Sequence, residues 1–285
     1  MLISEKASSL LQNKLQKCSE VFCSGLFLSA RWAVVSQTAP EKTNLIVLPT
    51  RESAEYCSAD LYNLVEGDCV FFLPESGKTV ERSNYKSSLG VQRTAAIGKI
   101  LQKAEERLFI VSYPEALEEK VPSEKKLEGA LFTINVGEDL SYEGLRKRLQ
   151  EEGFEKVDFV SAPGQFAVRG AVIDIFSYSL EKPYRITFFG NEVDKINTFD
   201  CNTQLSIDKL EKAEIYPDIA AKEADEEGIS LITLLKAETT VWLDSSDMYK
   251  EREFYQELSA FQRVYLDIPL SRQDGESVPF HIEST

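Results

Sequence analysis

Two arginines and a phenylalanine are the side chains of this sequence best suited to chemistry at a surface. Arg185 and Phe189 lie in the run YRITFF, whose composition predicts a β-strand over residues 184–189. They share one face of that strand, about 13 Å apart at the usual rise per residue. Arg169, on the preceding strand, is expected near the same surface. The alternate residues form the predicted core face: Tyr184, Ile186 and Phe188.

Two interpretations of Arg169, Arg185 and Phe189 stay open at this point. Arginine stems cover apolar surface, and ion pairs with Asp174 or Glu192 on the neighbouring strands would simply stabilise a sheet. Arginine and large aromatic residues are also the types enriched at hot spots of protein interfaces. The residue types therefore favour a structural or a binding role.

These side chains belong to a stretch that runs from Ala162 to Phe199. Runs of β-branched and aromatic residues over 166–176 and 184–189 predict two strands joined by a polar hairpin loop over 177–183. Gly190 and Asn191 tolerate the positive φ of two-residue turns, which predicts a tight turn into a strand over 192–199. The result is a three-stranded meander.

A second place for chemistry is the turn CSGLFLSARW, between a predicted strand over 20–22 and an apolar helix through residue 35. A nucleotide-binding P-loop occupies such a turn and uses the pattern GxxxxGK[ST], whose backbone amides cradle phosphates. Here Ser24 and Gly25 are followed by Leu26 and Phe27, with no GK pair. A phosphate cradle is not expected.

A GKT triplet at residues 77–79 resembles the end of a P-loop. The first glycine of the pattern would have to stand at Phe72, and Pro74 interrupts the turn. A polar loop is the preferred interpretation, and nucleotide binding through Lys78 is the alternative.

The composition of the chain argues against several classes of function. The net charge of −15 argues against binding nucleic acid through a general field, since such binding neutralises phosphates with Lys and Arg. Five cysteines without CxxC spacing predict neither a disulfide framework nor a zinc site, and His281 is the single histidine. No apolar run suits a membrane span or a signal peptide. We expect a cytoplasmic protein with no cofactor, no metal and no membrane partner.

The fold class predicted from the order of elements is α/β, with 285 residues sufficient for two domains. Alternating strands and helices over 1–120 predict a parallel sheet, including helices over 53–65 and 91–105. A shift to Pro, Ser, Glu and Lys introduces an inserted α+β domain over 121–215 with a curved antiparallel sheet, in which Ser141 and Gly153 would cap a helix. Residues 216–285 are expected to be a linker and a return segment. The helix over 53–65 should bury Cys57, Leu61, Leu64 and Val65.

A set of motif residues at fixed spacing matches a known family. They are Gly164, Phe166, Arg169-Gly170, Asp174-Ile175-Phe176, Pro183, Arg185, Phe188-Phe189-Gly190, Glu192, Ile196, Phe199-Asp200 and Thr203-Gln204. On these residues the chain resembles the UvrB-related N-terminal region of bacterial transcription-repair coupling factors, the Mfd family. The resemblance is densest over 131–217 and collinear over the rest.

The resemblance implies that the first domain is a degenerate P-loop helicase-like fold. In UvrB relatives a strand ends in an acidic pair that holds Mg²⁺ and activates water. Here Asp244 is retained and Ser245 replaces the second acid. With Ser24 and Gly25 these residues mark an eroded nucleotide site, so no catalytic residue is expected. The alternative is an active UvrB-like ATP-dependent helicase domain.

The resemblance also implies a protein partner. The corresponding family domain binds UvrA, and its contact positions fall on Arg169, Arg185 and Phe189. The chain would then be a non-catalytic UvrA-recruiting module that links removal of stalled RNA polymerase to nucleotide excision repair. A longer parent would be an ATP-dependent DNA translocase that also contacts RNA polymerase, DNA and its own C-terminal domain, which masks the UvrA surface.

Overall fold

The computed structural model describes residues 5–65, 69–76, 83–102, 106–178, 182–219, 228–245, 247–268 and 278–280, with backbone alone at 83–88 and 267–268. Its helices are α1 Glu5–Leu15, α2 Ala30–Thr38, α3 Arg51–Leu64, α4 Ser83–Leu101, α5 Pro114–Glu118, α6 Glu124–Ala130, α7 Tyr142–Glu151 and α8 Glu253–Glu257. None of these helices combines the length and the apolar composition that crossing a membrane requires.

The strands of the described residues, in chain order, are β1 Glu20–Ser24, β2 Thr43–Val47, β3 Val70–Phe72, β4 Leu108–Ser112, β5 Phe132–Asn135, β6 Glu155–Lys156, β7 Gln165–Arg169, β8 Val172–Ile175, β9 Tyr184–Phe189, β10 Glu192–Phe199, β11 Ser206–Leu210, β12 Lys212–Ile215, β13 Thr240–Leu243, β14 Gln262–Ile268 and β15 Val278–Pro279. The chain divides into two compact units. One comprises residues 1–75, 99–120 and 229–285, and the other residues 76–98 and 121–228.

The first unit contains a parallel sheet in the order β15-β1-β14-β13-β2-β4-β3. Strands β2 and β4 are buried along almost their whole length and contain the apolar runs 45–47 and 108–111, as strands covered on both faces do. Leu11 of α1, Trp32 of α2 and Leu61 of α3 belong to the same buried cluster as Phe109 and Trp242 of the sheet. Because the strands are parallel, their carboxyl ends lie at one edge, where α2 and α3 begin.

The second unit contains a sheet in the order β11-β10-β9-β8-β7-β6, antiparallel except for the β6–β7 pair, and a separate pair β12–β5. One face packs on α7 through Leu145 and Leu149. Ser141 caps α7 as predicted, since its hydroxyl accepts a hydrogen bond from the Gly144 amide at 3.1 Å. The predicted α/β class, with a parallel sheet and a second, antiparallel sheet, is confirmed.

Two local predictions were wrong. The single strand over 166–176 is the hairpin β7–β8, which turns at Gly170 with a φ of +57°. Leu64 is 48% exposed because α3 ends at this residue and its buried face stops at Leu61. The predicted tight turn at Gly190 and Asn191 is confirmed, since Phe189 pairs with Glu192 across it and β10 runs from Glu192 to Phe199; of the two turn residues Gly190 alone has a positive φ. The predicted domain limits 1–120, 121–215 and 216–285 stay a prediction.

Candidate functional site

The sheet of the second unit brings the predicted surface residues onto one face. Asp174 pairs directly with Arg185 across β8 and β9, so their side chains point to the same side. Arg169 and Phe189 lie on this side as well, because Arg169 pairs with Val172 and Phe189 is four residues beyond Arg185. We call Arg169, Asp174, Arg185 and Phe189 the arginine face. The opposite side, with Tyr184, Ile186 and Phe188, forms the core as predicted.

Asp174 is the centre of the arginine face. Its side chain is 1% exposed and accepts two hydrogen bonds from Arg185, from Nε to Oδ1 at 2.8 Å and from Nη2 to Oδ2 at 2.9 Å. Arg169 donates to the same Oδ2 through its own Nη2. Two guanidinium groups thus share one carboxylate, which leaves a local positive charge on a chain that is acidic overall. The bidentate pairing holds the guanidinium plane of Arg185 in a fixed orientation.

Further contacts hold Arg185 in place. Its Nη1 donates to the backbone oxygen of Gln204 at 2.8 Å, and its Nη2 lies 3.3 Å from the Gln204 side-chain oxygen. The guanidinium carbon lies 4.2 Å from the centroid of the Phe199 ring. The hydrogen bond to Asp174 raises the pKa of Arg185 above its ordinary value.

Gln204 takes part in the site although only its place in the motif drew attention to it. Its φ of +60° is uncommon for a residue with a side chain. Its side-chain amide donates to the backbone oxygen of Cys201 at 2.8 Å, and its backbone amide donates to that of Asp200 at the same distance. Backbone strain of this kind occurs where surrounding contacts determine the conformation, often at functional sites.

Arg169 is positioned by the turn that follows it. The Tyr142 hydroxyl donates to the backbone oxygen of Gly170 at 2.7 Å, and the Tyr142 ring packs edge-on against Phe188 at 5.3 Å between centroids. Helix α7 is thereby tied to the β7–β8 turn. On its outer side, the Arg169 guanidinium lies 5.0 Å from the ring centroid of Phe159.

Phe189 is the most exposed large apolar residue of the described chain, at 81%. It is the last residue of β9, directly before the turn at Gly190. An exposed phenylalanine adds little to the stability of the unit that carries it, and it favours contact with another surface. The arginine face therefore combines fixed hydrogen-bond donors, a positive charge and an apolar ring. These groups together are typical of a protein-binding surface.

The turn at Ser24 and Gly25 has a structural explanation. Gly25 has a φ of +79°, and a Cβ built on it would overlap the backbone oxygen of Phe280. The Phe280 amide donates to the backbone oxygen of Ser24 at 2.9 Å, next to the β1–β15 pairing. The glycine thus admits a neighbouring backbone segment at the place where a P-loop would admit phosphate.

Asp244 stands at the carboxyl end of β13, on the same sheet edge as Gly25. Its carboxylate pairs with the guanidinium of Arg31 on α2, the helix that follows the turn at Ser24 and Gly25. Ser245 accepts backbone hydrogen bonds from Asp247 and Met248 and so closes a local turn. The charge of Asp244 is therefore neutralised by an arginine of the chain itself.

Two sequence features fall outside the described residues. The GKT triplet with Lys78 and the single histidine, His281, cannot be placed on this structure. Within the residues that are described, no group of three or more His, Cys, Asp or Glu side chains is arranged to hold a metal ion.

Comparison with known families identifies the class of the second unit. Residues 132–220 match the family model described as the UvrB interaction domain. The matched range contains the whole arginine face and the segment of Gln204 that holds Arg185.

Curated relatives lead from the class to a particular kind of protein. The transcription-repair-coupling factor of Bacillus subtilis is 31% identical over 217 residues, 75% of this chain. Those of Staphylococcus aureus strain USA300 and Haemophilus influenzae are 26% and 27% identical over 92% and 64% of it. These matches confirm the resemblance, and the chain belongs to the family of bacterial transcription-repair coupling factors, as part of their N-terminal region. It spans 16–23% of the length of these relatives.

Proposed function

We propose that this chain is the UvrA-recruiting module of a transcription-repair coupling factor and that it has no catalytic activity of its own. The observation that carries the proposal is the arginine face, in which Arg169 and Arg185 share the buried Asp174 beside an exposed Phe189. The match to the UvrB interaction domain supports a partner of the UvrA type. The same proposal includes a longer parent protein that acts in the cytoplasm. That parent would contact RNA polymerase and DNA and would carry a translocating motor. Its C-terminal domain would mask the UvrA surface.

The test of recruitment is titration of purified UvrA with the chain and with the Arg169→Ala, Arg185→Ala and Phe189→Ala variants at fixed salt. We expect each variant to lose about 2 kcal/mol, about 30-fold in affinity, as hot-spot residues do. Phe189→Ala is the sharpest variant because its side chain has the least to do with folding. Tyr56→Ala, an equally simple truncation of a ring 67% exposed on the first unit, is the matched control.

The arginine variants need a folding check before their affinities are compared. Circular dichroism must establish that they fold, since each leaves Asp174 with one partner. Unchanged affinity in all three folded variants would move the contact to another surface. Absence of binding by the parent chain would remove UvrA as the partner.

The non-catalytic part of the proposal rests on the ion pair between Arg31 and Asp244 and on the backbone of Phe280 beside Gly25. Equilibrium titration with a fluorescent ATP analogue and Mg²⁺ is expected to give no saturable binding. Saturable binding that Lys78→Ala abolishes would instead support an active UvrB-like helicase domain.

A further inference from the structure

Phe159 is a second exposed phenylalanine beside the arginine face. It lies between β6 and β7, its ring is 62% exposed, and the ring centroid is 5.0 Å from the guanidinium carbon of Arg169. Sequence reasoning gave no reason to single it out, because it belongs to neither predicted strand.

The segment that carries Phe159 is anchored on both sides. Val157 donates its amide to the backbone oxygen of Phe166 at 2.9 Å, and Val160 is buried in a small cluster on the arginine side of the sheet. The Phe159 ring is therefore exposed to solvent, although Val157 and Val160 on either side of it are fixed by a hydrogen bond and by burial. Beside the arginine face this ring enlarges the exposed apolar surface, and exposed apolar patches rimmed by polar residues mark interaction sites.

We propose that Phe159 is a further contact residue for the UvrA-type partner, so that the binding surface continues from the arginine face across Arg169 to Phe159. This inference rests on the proposed function. Its support is continuity: the Arg169 guanidinium carbon lies over the Phe159 ring, while Asp174 accepts a hydrogen bond from Nη2 of the same group. With 35% of its side chain exposed, Arg169 is also open to solvent beside the ring.

The arrangement specifies the chemistry of the partner surface. It must offer an apolar side chain to Phe159 and, beside it, a hydrogen-bond acceptor to Arg169. Burial of such a pair removes the cation–aromatic contact from water, where it is stronger than at an exposed site. Phe159 would then both orient Arg169 and contribute apolar contact area.

The experiment is titration of UvrA with the Phe159→Ala, Phe159→Leu and Tyr56→Ala variants of the chain, each first checked for folding by circular dichroism. We expect a loss of about tenfold or more for Phe159→Ala, a smaller loss for Phe159→Leu, which keeps apolar area without the ring, and none for Tyr56→Ala. Should Phe159→Ala not fold, the affinity of Phe159→Leu for UvrA decides the test: reduced affinity supports the inference, and unchanged affinity contradicts it.

The possible failures are distinguishable. If the parent chain binds UvrA, Phe189→Ala weakens binding and folded Phe159→Ala binds as the parent does, this inference is wrong and the proposed function stands. If the parent chain does not bind UvrA, the proposed function and this inference both fall.

Discussion

At the scale of single residues, Asp174 contributes both to the stability of the sheet and to the orientation of the two arginines proposed to bind a partner. A buried carboxylate is costly unless it is paired and hydrogen-bonded, and here two arginines satisfy it. The structural and binding interpretations of Arg169 and Arg185 are therefore compatible. The same ion pairs that stabilise the sheet also fix the guanidinium groups that face solvent, with 35% and 19% of the two side chains exposed.

Replacing Asp174 by Asn keeps the shape of the side chain and removes the charge that both arginines share. We expect the free energy of unfolding to fall by about 1–3 kcal/mol, less than for a fully buried pair because the arginines retain solvent contact. Urea unfolding measures this loss. Asp208→Asn, at an ion pair with Lys182 whose side chains are both more than half exposed, is the control and should change stability by no more than about 0.5 kcal/mol. Equal effects of the two substitutions would contradict the central place given to Asp174.

At the scale of elements, periodic runs were predictable and turns inside them were not. Strand β9 and strand β10 have the predicted bounds because their residue types agree along the whole run. The β7–β8 hairpin was missed because a single Gly170 interrupts a stretch that otherwise favours one strand. Gln204 and Phe159 could not be predicted as site residues, since a positive φ and an exposed ring follow from tertiary contacts.

The turn at Ser24 and Gly25 allows a prediction at the same scale. Gly25→Ala should destabilise the chain for two reasons, its positive φ and the overlap of the new Cβ with Phe280. Gly137→Ala is a matched control, because Gly137 has a φ of +80° and open space where the new methyl group would stand. We expect thermal and urea unfolding to give a cost for Gly25→Ala that exceeds the control by about 1–3 kcal/mol. Equal costs would show that Phe280 does not pack against this turn.

At the scale of the whole molecule, the two units carry different features. The first has a parallel sheet at whose carboxyl edge Arg31 pairs with Asp244 and the backbone of Phe280 approaches Gly25. The second carries the family match, the arginine face and the exposed rings of Phe159 and Phe189. A chain with a net charge of −15 thus presents a local basic and aromatic surface, which favours one specific protein contact over general binding to nucleic acid.

The central claim is that UvrA binds on the arginine face, and hydrogen–deuterium exchange of the chain with and without UvrA tests it most directly. We predict slower exchange in the turns at residues 169–171 and 189–191 and around Gln204, with no change in α3 of the first unit. The Arg185→Ala variant should show this protection much reduced at the same UvrA concentration. Protection confined to the first unit, with unchanged exchange in both turns, would contradict the account.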